Sequence, residues 1–82
     1  MTEEPDMESE MDARGLKCPL PVLKAHKRLQ GMRPGSRLRL IADDPAAIVD
    51  APHYCAEQGH KLIDTRRNFE GALIFVIERG GD

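Results

Sequence analysis

Apolar residues recur along this chain with two different periods, and the alternation between them predicts the element order. From Pro19 to Gln30, Val22, Ala25, Leu29 and, just beyond, Met32 fall on one helical stripe, while Lys24, Lys27, Arg28 and Gln30 lie largely outside it. Gly31 is the expected stop, and Arg33-Pro34-Gly35 is turn chemistry. Arg37-Leu38-Arg39-Leu40 then alternates with period two, which predicts a half-buried strand with Leu38 and Leu40 facing the core.

Asp43-Asp44-Pro45 reads as the start of a second helix, with a carboxylate at N-cap and proline at N1, running to about Gln58 and stopped by Gly59. Pro52 interrupts it and Asp50 is placed to cap a fresh start, so two pieces or a kink are expected. On this helix Ile48, Pro52, Cys55 and Ala56 form the expected core-facing stripe. Lys61 to Arg67 and Ala72 to Arg79 are predicted strands joined by a four-residue hairpin connection at Asn68-Phe69-Glu70-Gly71. A short strand from Glu8 to Ala13 precedes the first helix. The order is βαβαββ, and its economical arrangement is an α/β (α+β) two-layer sandwich: a four-stranded mixed sheet with two helices on one face.

Charge divides the chain in two. Met1 to Met11 holds five acidic residues, whereas the body from Asp12 onward has nine acidic against twelve basic residues, about +3. Residues 1–8, which also contain Pro5, are expected to be an acidic disordered leader, and residues 9–80 a single domain. The mild basicity suits docking on an acidic protein surface. With no Trp, one Tyr and two Phe, there are few platforms for stacking bases, so no direct nucleic-acid binding is expected. Neither a signal peptide nor a membrane-length apolar run is visible, and two widely separated cysteines read as reduced thiols; a cytoplasmic location without membrane association follows as an expectation.

The chemistry-bearing segment is Cys18-Pro19-Leu20-Pro21. Proline is tolerated in the first helical turn, where N–H groups have no intrahelical acceptor. With Cys18 as N-cap, Leu20 N–H is the donor within reach of the sulfur, and the helix dipole together with Lys17 and Lys24 favours the thiolate. A lowered Cys18 pKa is therefore expected, with the prolines holding the thiol at the surface. Pro21 stands where a Cys-x-x-Cys pair needs its second thiol, so Cys18 acts alone. Lys17, Lys24, Lys27 and Arg28 are candidate partner-docking residues. Cys55 reads as a core thiol, and His53, Cys55 and His60 match no zinc spacing. His60 is read as a helix-end residue favoured by the C-terminal dipole. Capping accounts for Asp43 and Asp44 better than acid/base catalysis does. No glycine-rich phosphate loop is present, so neither a metal nor a nucleotide cofactor is expected.

Asp12-Ala13-Arg14-Gly15-Leu16-Lys17-Cys18-Pro19-Leu20-Pro21, followed by Pro34-Gly35, Asp43-Asp44-Pro45 and Gly59-His60, resembles the TusA/SirA family of sulfur carriers, over about Met11 to Gly80. The resemblance implies that Cys18 takes sulfane sulfur as a persulfide from a cysteine desulfurase or rhodanese-like donor and yields it to a sulfur-accepting protein. The activity so implied is that of a non-enzymatic carrier or a sulfurtransferase relay component. Family branches serve transfer-RNA 2-thiolation, sulfur oxidation, molybdenum-cofactor supply and selenium metabolism. A monomer is expected, because a carrier must expose its thiol to successive partners. Two other classes compete: a regulatory protein- or RNA-binding module in which Cys18 is only a helix cap, and a thiol redox sensor.

Overall fold

The computed structural model describes residues 8–81, so most of the expected acidic leader lies outside the described residues. The elements are β1 (Glu8–Asp12), α1 (Leu20–Gln30), β2 (Arg37–Ala42), α2 (Ala47–Gln58), β3 (Lys61–Arg67) and β4 (Leu73–Glu78). They form one four-stranded sheet in the order β1-β2-β4-β3. β1 and β2 are parallel, joined by the crossover through α1 that parallel strands require; the β2–β4 and β4–β3 pairs are antiparallel. This is the mixed α+β arrangement expected from the element order.

Leu38 and Leu40 of β2 and Phe75 and Ile77 of β4 are fully buried beneath the helices, with Ala25 and Leu29 of α1 above them. Arg37 and Arg39 point away, as the alternation requires. The apolar run in β4 divides by period two: Leu73, Phe75 and Ile77 enter the core, while Ile74 and Val76 are half-buried on the open face. The β3–β4 hairpin is closed by Asn68, whose side chain accepts from the N–H groups of Glu70 and Ala72, each at 2.9 Å.

Four expectations about the helices need correction. α1 begins at Leu20 with Pro19, not Cys18, in the N-cap position, and no side chain caps it. α2 begins at Ala47, after a turn in which Asp44 Oδ1 accepts from Ala46 N–H at 3.1 Å, so Pro45 stands ahead of the helix rather than at N1. α2 is also one helix rather than two pieces, with Pro52 inside it and Asp50 capping nothing. Pro52 and Ile48 are both exposed, and Pro52, lacking an N–H, leaves the Ile48 carbonyl without its helical donor. The buried face of α2 is Ala47, Ala51, Tyr54 and Cys55, whereas Ile48 and Val49 are 46% and 70% exposed.

Candidate functional site

Cys18 ends the connection between β1 and α1, and two acidic residues from the same end of the sheet fix that connection. Gly15 N–H donates to both Asp43 oxygens, at 3.0 and 3.2 Å, and Cys18 N–H donates to Asp44 Oδ2 at 2.6 Å. Both aspartates directly follow β2, whose parallel pairing with β1 brings them beside the motif. The Cys18 and Ala46 N–H groups hold the Asp44 carboxyl below the usual carboxylate range. Leu20 N–H bonds back to Lys17 O at 2.8 Å, closing a turn immediately ahead of α1, and the Cys18–Pro19 peptide is cis.

The sulfur itself donates to Asp50 Oδ2, from the first turn of α2. This replaces the expected bond from Leu20 N–H and reverses the expected electrostatics. The hydrogen bond to Asp50, desolvation and the negative charges of Asp50 and Asp44 push the Cys18 thiol up to about 11. Any favourable field from the start of α1 is overridden by a carboxylate in direct contact. The carboxylate thus favours the protonated sulfur over the thiolate. The cap position belongs to Pro19, so Cys18 does not cap α1.

Cys18 lies at the edge of a groove of about 640 Å³ between α1 and α2, lined by Pro19, Val22 and Leu23 on one side and by Asp50, His53, Tyr54 and Glu57 on the other. Of the motif prolines, Pro19 is exposed and Pro21 is buried; Leu20 is 47% exposed. Pro21 therefore anchors the start of α1 in the core and leaves Cys18 and Leu20 at the surface.

The four basic residues proposed for docking do not line this groove. Lys24, Lys27 and Arg28 border a separate hollow with Glu10 and Asp12, and Lys17 borders a third with Asp43 and Asp44. Arg28 is tied to β1 by a 2.7 Å bond from Nη1 to Ser9 Oγ. Cys55 is 2% exposed and burial raises its thiol to about 11. Among the described residues, no group of three His, Cys, Asp or Glu is arranged to hold a metal, and no helix is long and apolar enough to cross a membrane.

His26 and His60 flank Tyr54. Tyr54 OH lies 3.0 Å from His26 Nδ1, and the Tyr54 and His60 ring centroids are 5.6 Å apart. His60 is not simply a helix-end cation: its Nδ1 accepts from Gly80 N–H at 2.8 Å, and burial, then Arg79 and His26, lower its pKa.

The family model described as sulfurtransferase TusA matches residues 9–79. The chain belongs to the TusA family. It is 36% identical over 74 residues to the sulfur carrier protein TusA of Allochromatium vinosum, covering 90% of this chain and 96% of the relative. Against the sulfur carrier protein TusA of Pseudomonas aeruginosa it is 35% identical over 72 residues, covering 88% and 90%. In fold it is similar to the crystal structure of a SirA-like protein from Desulfitobacterium hafniense, with a TM-score of 0.78 at 20% identity over 88% of this chain and 97% of that one.

The residue that sequence reasoning misplaced is Asp50. It lies 32 positions from Cys18, so local pattern gave only a capping role. The available signal was Asp43-Asp44-Pro45, which fixes where α2 starts relative to the motif.

Proposed function

We propose that this TusA-family protein is a sulfur carrier whose Cys18 accepts sulfane sulfur as a persulfide and passes it to a thiol on an acceptor protein. The observation that carries this reading is a lone, half-exposed thiol at the mouth of a groove, while the second cysteine is sealed in the core. In the loading step the Cys18 thiolate attacks the outer sulfur of a donor persulfide, the donor S–S bond breaks, and the donor thiol departs. The step repeats in reverse at the acceptor, and needs neither metal nor nucleotide. The relatives of known role, sulfur carrier proteins, support this reading. The donor class is a cysteine desulfurase or rhodanese-like protein, and transfer-RNA thiolation and sulfur oxidation are the relays in which such a carrier serves.

The test is intact mass after incubation with a cysteine desulfurase and cysteine, or a rhodanese and thiosulfate. Wild type should gain one reductant-labile sulfur and Cys18→Ser none. If wild type gains none from either donor, the carrier reading is wrong.

A further inference from the structure

The acidic environment of Cys18 is unexpected for a nucleophile, since the thiolate is the attacking form and the charges that act on the sulfur, Asp50 and Asp44, oppose it. Asp50 touches Sγ, Asp44 holds the residue's own N–H, and Glu57 lines the same groove. The groups of the groove able to carry positive charge are His26 and His53. His26 Nδ1 is at Tyr54 OH, 3.0 Å, and His53 Nε2 is at Glu57, 3.2 Å. Lys17 borders the hollow on the Asp44 side, and among the described residues no lysine or arginine lines the groove itself.

We infer that Asp50 is a removable brake on Cys18: its carboxylate keeps the sulfur a neutral thiol at rest, and a sulfur donor releases it by bringing a lysine or arginine into the groove to pair with Asp50. The inference rests on the carrier reading above and specifies the donor surface it needs. Charge complementarity sets that surface. The groove offers Asp50 and Glu57 beside the apolar side chains of Val22 and Leu23, so the segment that fits carries a basic side chain and an aliphatic one next to its persulfide.

The chemistry closes without an added oxidant. When the donor cation takes Asp50, the Cys18 proton leaves Sγ and ends on the departing donor sulfur. The new bond is Cys18 Sγ to the sulfane sulfur, and the bond broken is the donor S–S. A thiol and a persulfide exchange roles with no net oxidation. Until such a donor arrives, a protonated Cys18 is a poor target for oxidants and electrophiles.

Two measurements on the full chain test this. The first is the rate of Cys18 alkylation by iodoacetamide, a neutral probe, at pH 7.5 in wild type and Asp50→Asn. Freed of the carboxylate, the thiol should drop toward its ordinary value, giving about a hundredfold more thiolate. The lower nucleophilicity of the more acidic thiol offsets about tenfold of this, so the variant should react on the order of ten times faster. An equal or slower rate overturns the brake. The second compares mixed-disulfide formation at Cys18 by cystamine, a dication, and by 3,3′-dithiodipropionate, a dianion, each normalised to its rate with a free cysteine peptide at low salt. Wild type should favour the dication by about fivefold or more, and salt should erode the preference. No preference overturns the requirement for a cation, and this arm uses wild type, so it decides even where the variant misfolds. Neither rate depends on sulfur loading. Failure of the brake with normal loading of wild type therefore leaves the carrier reading standing, and failure of loading is seen separately by mass.

Discussion

At Cys18 two carboxylates act on different atoms of one residue: Asp44 accepts from its backbone N–H and Asp50 from its sulfur. The first fixes where the residue sits, and the second fixes its protonation. His60 is set by its neighbours in the same way. Its Nδ1 must be unprotonated to accept from Gly80 N–H, and burial already disfavours the cation. A histidine whose folded pKa lies below 6.5 stabilises the fold fully above pH 6.5, because only the unfolded chain takes up a proton on going below it. Stability should therefore fall as pH drops from 6.5 toward the lower folded value, well before the carboxylates titrate. Melting temperatures between pH 7.5 and 5 should show this decline in wild type, and a flatter profile in His60→Asn, whose side-chain oxygen can still accept from Gly80. A slope unchanged by the substitution would place the pH dependence elsewhere.

The elements themselves follow largely from local pattern, and their contacts do not. Period two in Arg37 to Leu40 and the run from Ala72 to Ile77 place β2 and β4, and proline and glycine mark the ends of α1. The buried face of α2 was harder to read: the expected stripe of Ile48, Pro52, Cys55 and Ala56 was right only at Cys55, and it passed over Ala47, Ala51 and Tyr54. The Cys18–Asp50 contact was not legible for a related reason: it depends on where one helix lies against another. Close approach also governs the segment after β4. A Cβ added at Gly80 would stand 2.0 Å from Gly59 O, and Gly59 is itself the left-handed C-cap of α2 at φ 77°. Neither backbone can yield without disturbing the helix end or the His60 bond. Gly80→Ala should destabilise by about 2 kcal/mol, lowering Tm by roughly 8–16 °C, in the range of overpacking in small domains. A Tm within a degree or two of wild type would mean that this segment is not packed against the α2 terminus.

On the scale of the whole molecule, the two cysteines differ in what must happen before they react. Cys18 is reached from the groove, but Cys55 is 2% exposed among Ala51, Tyr54 and the sheet residues of the one hydrophobic core. A domain of this size has about 5 kcal/mol of stability, so its core opens in roughly one molecule in five thousand. In a Cys18→Ser background, alkylation of Cys55 should be slowed by on the order of 10⁴ relative to an unfolded chain. The rate should rise with urea along the same slope that circular dichroism gives for global unfolding. A shallower slope would mean that α2 opens locally, away from the sheet, without loss of the core. Because Asp50 rides on the same helix, such an opening would also part it from Cys18. Cys55 labelling therefore tests whether the contact between α2 and the sulfur is as durable as the fold.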